Sequence, residues 1–215
     1  MQKILFIRHG QSLGNVKCVF CGRMDYPLTD AGKTQGAAAC EFVFSNYKVC
    51  ALYSSELTRA KQTLEKLSEL SGLPLVVKSA FNELYGGLWE DKTVPEIAKN
   101  YPQDFSVWEK NIGEAVPTGG ESFPQLIERA KKGLCEIADE CKGKDGVAVV
   151  ATHGGVIRAL QCVLNGLPLS EMKNIPWVSN ASVTCAGFDN GRFSIDMNYR
   201  DDFLGDKKTG MFMGL

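Results

Sequence analysis

Short runs of consecutive apolar residues alternate along this chain with longer stretches in which apolar residues return every three or four positions. Lys3-Ile4-Leu5-Phe6-Ile7, Val49-Cys50-Ala51-Leu52-Tyr53, Leu75-Val76-Val77 and Gly146-Val147-Ala148-Val149-Val150-Ala151 are apolar without alternation, the pattern of strands buried on both faces. Between them the period lengthens. Thr29-Asp30-Ala31-Gly32 reads as the entry to a helix through about Asn46. Ser55 is placed to cap a helix carrying Leu57, Ala60, Leu64, Leu67 and Leu70. From Glu121, the positions Phe123, Leu126, Ile127, Ala130, Leu134, Ile137, Ala138 and Cys141 keep helical spacing, with Ser122 and Gln125 forming a capping box. Val156 to Leu164 is again helical. Ser182–Phe188 and Arg192–Asn198 read as strands joined by an Asp189-Asn190-Gly191 turn, a hairpin signal.

Strand and helix in alternation predict an α/β fold, three layers α/β/α with a mostly parallel central sheet. The stretch from about Leu84 to Gly120 fits no strand and is expected to be a helical cap inserted on the sheet. Its aromatic residues, Trp89, Tyr101, Phe105 and Trp108, are expected to form the core of that cap. The 215 residues contain no repeat, low-complexity run or linker, so residues 1–215 are expected to form a single domain with that insertion.

Composition narrows the function. Lys+Arg is 24 and Asp+Glu is 25, a net charge of −1, which lacks the basic footprint of a nucleic-acid binder. No apolar run approaches the ~18–20 residues of a membrane span, and the apolar stretch after Met1-Gln2-Lys3 is too short for a signal peptide. A cytoplasmic protein is expected, with neither nucleic acid nor membrane as partner and a homodimer allowed. The eight cysteines then read as reduced thiols. Cys18-x-x-Cys21 has no second pair at zinc-site spacing, and most of the others fall on apolar positions of strands and helices.

The chain has only two histidines, and their settings match. His9 follows the first strand in Arg8-His9-Gly10, and His153 follows the most apolar strand in Thr152-His153-Gly154. Ligands of parallel sheets bind beyond the carboxyl ends of the strands, so both imidazoles are expected at one edge. Gly10 and Gly154 let the backbone approach a ligand there. Arg8 is fixed beside His9, and Arg59 lies in the first turn of the helix after the second strand. A guanidinium at a helix N-terminus makes a phosphate or carboxylate site.

Around these residues the chain resembles the histidine phosphatase superfamily, also called phosphoglycerate-mutase-like. The resemblance rests on Arg8-His9-Gly10-Gln11-Ser12-x-x-Asn15, on Gly22 through Gly32, on Tyr53 through Thr63, on Asn82 through Glu90, on Gly120-Glu121-Ser122 and on Thr152 through Arg158. These blocks run the length of the chain in the family's order. The chain departs from the pattern at Glu56, where proline is usual after Ser55, and at Asp91, where glycine is commoner. The resemblance implies that His9 is the nucleophile, forming a phosphohistidine. It implies that Arg8, Arg59 and His153 bind the phosphoryl oxygens, and that Glu83 is the general acid and base. Gln11, Ser12, Asn15, Cys21 and Gly22 would line the phosphate pocket, with Gly154 beside them. Cys21 stands where threonine or a larger polar residue is usual, and a thiol is a weak donor. Gly120-Glu121-Ser122 is read as a turn and cap.

The implied activity is that of a metal-independent phosphomonoesterase acting on a small phosphorylated metabolite, with no cofactor. Two histidines and a carboxylate would also suit a metal, but two fixed cations facing the same point repel a third. A dinucleotide or P-loop reading of Gly10-x-x-x-Gly14 lacks the glycine spacing and the Gly-Lys-Ser/Thr. A silent phosphate-binding module would not need every catalytic position intact. A cofactor-dependent phosphoglycerate mutase and an α-ribazole phosphatase are the alternatives within the family. The expected cap holds three lysines against six carboxylates, a net of −3 without arginine, which disfavours the doubly phosphorylated intermediate of a mutase.

Overall fold

The seven residues Gln2–Arg8 form β1, which lies inside a six-stranded sheet. The computed structural model describes residues 2–209. The other strands are β2 (Val49–Ser54), β3 (Leu75–Val77), β4 (Val147–Thr152), β5 (Val183–Asp189) and β6 (Arg192–Ile195), in the order β3-β2-β4-β1-β5-β6. β3, β2, β4 and β1 run parallel, whereas β5 pairs antiparallel with β1 and β6 with β5. The predicted hairpin is present, its turn at Asn190 and Gly191 with φ of 50° and 79°, the left-handed pair that matches strand twist. Its second strand stops at Ile195, short of the expected Asn198.

Every second residue of the central strands faces the same layer. Ile4 and Phe6 of β1, with Ala148 and Val150 of β4, pack on α6 (Phe123–Glu140) and α7 (Gly154–Leu164). Leu5, Ile7, Val149 and Ala151 pack on α2 (Asp30–Asn46) and α3 (Thr58–Ser71). Unbroken apolar strands therefore mark a sheet covered on both sides, the three-layer arrangement expected. Ser122 and Gln125 cap α6 reciprocally, and α7 begins at once after His153, two residues before the apolar periodicity does. One expectation is corrected: Ser55 does not cap α3. The helix starts from Leu57 without a side-chain cap; Ser55 lies two residues before that position, its hydroxyl 2.8 Å from the His153 Nε2 and accepting the Leu57 N–H at 3.3 Å rather than an N–H of the helix's first turn.

The segment after Leu84 is helical, as expected, with α4 (Val94–Asn100) and α5 (Pro102–Lys110) between single 3₁₀ turns. Trp89, Phe105 and Trp108 are buried in it, and Tyr101 is partly so. Phe20, from the loop after the short helix α1 (Leu13–Lys17), meets Trp89 and Trp108 edge-on at 5.9 and 5.7 Å. That loop is stitched to the cap by the Phe20 N–H on the Lys92 carbonyl at 2.8 Å and the Asp91 N–H on the Phe20 carbonyl at 3.0 Å. Asp91 has φ 59°, which accounts for glycine being commoner there. Aspartate tolerates the left-handed region, and its carboxylate accepts the Tyr26 hydroxyl.

The loop that follows β1 is pressed against the first turn of α2. A Cβ at Gly32 would stand 2.0 Å from the Gln11 carbonyl oxygen, and one at Gly10 would stand 2.2 Å from that of Gly32. Backbone on both sides leaves nothing that yields cheaply. Gly32→Ala is expected to lose ~1–3 kcal/mol of stability through this overpacking, read as a lower urea midpoint. An unchanged midpoint would show that the loop and helix separate freely.

Candidate active site

Arg8 pairs with Thr152 across β1 and β4, and Ser54 pairs with Ala151 across β2 and β4. Three carboxyl ends are therefore level, and the residues that follow them, His9, His153 and Ser55, converge. The two imidazole centroids are 5.2 Å apart. His9 is fixed by its N–H on the Thr152 carbonyl at 2.9 Å and by Asn180, whose Nδ2 donates to the His9 carbonyl at 2.9 Å. The His9 Nδ1 lies 2.7 Å from the Gly10 carbonyl. A carbonyl only accepts, so Nδ1 carries the proton and Nε2 keeps its lone pair. Burial, then the Arg59 and Arg8 guanidiniums, hold this imidazole well below its usual pKa of 6.5. Burial and Arg59 do the same to His153. Both rings are neutral near pH 7.

Two guanidiniums are buried beside them. Arg59 has no exposed surface. It donates from Nη1 to the Met24 carbonyl and from Nη2 to the Gly22 carbonyl, both at 2.7 Å. Arg8 donates to the Val178 carbonyl. The Nε of each is buried without a partner, and neither forms a carboxylate ion pair among the described residues. Burial is the main force lowering both arginine pKa values. A buried cation without a counter-charge is costly, and two of them around one point describe a place for a multiply charged anion.

Glu83 closes the site opposite the arginines. Its Oε1 accepts the Leu84 N–H at 2.8 Å, and its Oε2 accepts the Gly155 N–H at 3.1 Å, in the first turn of α7. A Cβ at 155 would stand 2.5 Å from Oε1, so any larger residue there would displace the Glu83 carboxylate. The strand of chain that carries Glu83 is held from behind by Arg129, which the motifs did not mark. Arg129 donates to the carbonyls of Ala80, Asn82 and Glu83 at 2.9, 2.7 and 3.1 Å and forms a two-pronged pair with Glu121 at 2.7 and 2.8 Å. Glu121 thus does more than shape the turn expected of Gly120-Glu121-Ser122.

One cavity joins these groups. Its walls are Arg8, His9, Asn15, Val19, Phe20, Cys21, Arg59, Glu83, Leu84, Trp108, Phe123, Gly154, Gly155 and Trp177. Of the residues expected at the site, Arg8, His9, Asn15, Cys21, Arg59, Glu83 and Gly154 line it. His153 has no exposed surface and sits behind His9, its Nε2 on the Ser55 hydroxyl and its Nδ1 without a partner. Gln11, Ser12 and Gly22 do not line the cavity. The Gln11 Oε1 accepts the Thr29 hydroxyl at 2.8 Å, Ser12 caps α1 with Asn15, and Gly22 acts through the carbonyl that anchors Arg59. Burial pushes the Cys21 thiol up, against Arg59 and Arg8, so it stays a neutral thiol. Trp108, expected only as cap core, also forms a wall. Phe123, read from its helical spacing as core, also forms a wall, and Phe20 and Trp177 carry no sequence signal for the site because isolated aromatics in loops have no period. Among the described residues no group of three or more His, Cys, Asp or Glu side chains is placed to hold a metal ion, and no helix is long and apolar enough to cross a membrane.

Comparison with known proteins agrees with this geometry. The model of the histidine phosphatase superfamily (branch 1) matches residues 4–200. A glucosyl-3-phosphoglycerate phosphatase of Mycolicibacterium vanbaalenii is 32% identical over 213 residues, spanning 94% of this chain and 93% of that protein. A metal-independent phosphoserine phosphatase of Arabidopsis thaliana is 29% identical, over 90% of this chain and 79% of that one. The solved structure of a mycobacterial glucosyl-3-phosphoglycerate phosphatase with VO3 superposes with a TM-score of 0.82 at 30% identity, covering 91% of this chain and 98% of that one. The chain belongs to the histidine phosphatase superfamily.

The depressed imidazoles tie stability to pH. The unfolded chain binds protons at both histidines below about pH 6.5 while the folded chain does not. Their contribution is therefore complete above pH 6.5 and is lost as pH falls. In phosphate-free buffer, urea unfolding between pH 8 and 5 is expected to show stability declining below pH 6.5 by up to ~1.4 kcal/mol per pH unit for each histidine. His153→Asn should flatten that decline. A flat profile in the wild type would mean that the rings are protonated in the folded state.

Proposed function

We propose that this chain is a metal-independent phosphomonoesterase that hydrolyses a small phosphorylated metabolite through a phosphohistidine. The observation that carries the reading is the neutral His9, with Nε2 unprotonated, beside two buried guanidiniums that form no carboxylate ion pair among the described residues. In the first step the Nε2 lone pair attacks phosphorus, a P–N bond forms, the ester P–O bond breaks, and a protonated Glu83 gives its proton to the departing alkoxide. In the second, Glu83 takes a proton from water, the water oxygen attacks phosphorus, and the P–N bond breaks to release inorganic phosphate and neutral His9. Arg8 and Arg59 neutralise the phosphoryl oxygens throughout, the electrostatic part of the work in a loose phosphoryl transfer. His153, a layer deeper, supports this end of the site with its unpartnered Nδ1. Asn15, Cys21 and Gly154 serve as walls, and Gln11, Ser12 and Gly22 shape the loops that hold those walls and Arg59.

The near balance of 24 basic and 25 acidic residues supports a small substrate rather than a polyanionic partner. The cap, net −3, supports hydrolysis over transfer between two phosphate positions. The eight free thiols support a reducing, cytoplasmic location.

Para-nitrophenyl phosphate is expected to be hydrolysed at an undiminished rate in excess chelator, and His9→Ala should remove at least ~10³-fold of that rate, as loss of a covalent nucleophile does. Rapid acid-free quenching with labelled substrate should leave base-stable phosphate on the wild type only. Chelator-sensitive turnover, or label that persists in His9→Ala, would overturn the reading. Glu83→Gln is expected to cost about 10²–10⁴-fold on an alkyl phosphate, whose alkoxide needs a proton. The loss on para-nitrophenyl phosphate, whose phenolate does not, should be much smaller. Equal losses would assign Glu83 to positioning alone.

A further inference from the structure

The cavity lining is of two unlike kinds: Arg8, His9, Arg59 and Glu83 are ionisable, whereas Val19, Phe20, Leu84, Trp108, Phe123 and Trp177 are apolar. Resting on the phosphatase reading, we infer that the leaving alcohol of the substrate is uncharged and apolar, an aromatic or alkyl group rather than one carrying a carboxylate.

Charge is the first argument. Among the described residues Arg8 and Arg59 are the only cations lining the cavity, and the phosphoryl group claims both. A carboxylate on the leaving group would find no cation left to answer it, only the neutral Asn15 amide and Cys21 thiol among apolar walls. The cation at the mouth, Arg23, is otherwise engaged. It pairs with Glu121 at 3.3 Å, lies 5.5 Å from the Tyr85 ring centre, and reaches the Glu83 carbonyl at 3.5 Å. The second argument is that the apolar wall is rigid and preformed. The Trp177 ring lies under the Arg158 guanidinium at 4.5 Å, and that guanidinium is fixed by the carbonyls of Met172 and Lys173. On its other side the ring lies over Gly154, where any Cβ would come within 3.3 Å of it. Phe20 is wedged edge-on against Trp89 and Trp108. Aromatic walls held in place before binding lose little entropy when a ring or chain slides between them, and each apolar Å² they cover is worth ~25 cal/mol.

The test uses three alkyl phosphates whose alkoxides are all strongly basic, so that leaving-group chemistry does not set the order: 2-phenylethyl phosphate, ethyl phosphate and phosphoserine. The full-length wild type is expected to prefer 2-phenylethyl phosphate over each of the others by at least ~30-fold in kcat/KM, mostly through KM. In Trp177→Ala and Phe20→Ala the ratio of 2-phenylethyl to ethyl phosphate should fall at least ~5-fold; because it is a ratio, general damage to the enzyme cancels. A preference for phosphoserine, or a ratio that neither variant changes, would overturn the inference while leaving the phosphatase intact. If Arg23→Ala abolished such a preference, the mouth cation would be the specificity element instead. Failure to hydrolyse any of the three esters or para-nitrophenyl phosphate would overturn the phosphatase reading itself.

Discussion

Everything in this molecule turns on holding two guanidiniums out of water without giving them a carboxylate partner. Arg8 is the last residue of a central strand and Arg59 lies on the first turn of a helix; Arg59 gives both Nη groups, and Arg8 its Nη1, to backbone carbonyls rather than to ion pairs. That geometry fixes the forks but leaves their charge unanswered, which is stable only because the rest of the fold is well packed. Burial, with that charge beside it, keeps the His9 imidazole neutral, so the packing that hides the two cations also leaves the His9 Nε2 lone pair free.

Much of this was legible before the structure. The uninterrupted apolar runs marked strands covered on both faces, and once the sheet was parallel, His9, His153 and Arg59 had to meet at one edge. The polar capping boxes and the Asn190-Gly191 turn were likewise readable, because each is set by neighbours in the chain. What could not be read depends on contacts far apart in sequence. Ser55 looks like a cap from its local context, but the helix starts two residues later, and the serine hydroxyl also meets the buried Nε2 of His153, 98 residues on. Gln11 and Ser12 stand in the right motif, yet the approach of α2 and the turn of α1 occupy their side chains. Trp177 and Phe20 carry no pattern at all; their role comes from where three separate loops happen to close over the cavity.

The carboxylate side of the site shows how far its support extends. Glu83 touches the first turn of α7 directly, but the chain that bears it hangs on Arg129, one guanidinium reaching the carbonyls of Ala80, Asn82 and Glu83 and anchored in turn by Glu121. The Gly120-Glu121-Ser122 segment therefore connects the end of the cap to the start of α6 and to the placement of Glu83 at once. The cap and Glu83 share one foundation, so a change in the cap's seating is felt at that carboxylate.

The position of β1 has a consequence for how the protein is made. The strand is synthesised first, yet its neighbours in the sheet are β4 and β5, and the groups that pin His9 come from Thr152 and Asn180. At the usual ~5–20 residues per second, roughly 7–28 s pass on the ribosome between the emergence of this apolar segment and that of its first partner strand. For that time an uncovered run of Ile4, Leu5, Phe6 and Ile7 waits in the open. The groups that pin His9 are not all present until Asn180 has emerged, and the interval before then is when this segment most needs a chaperone's cover.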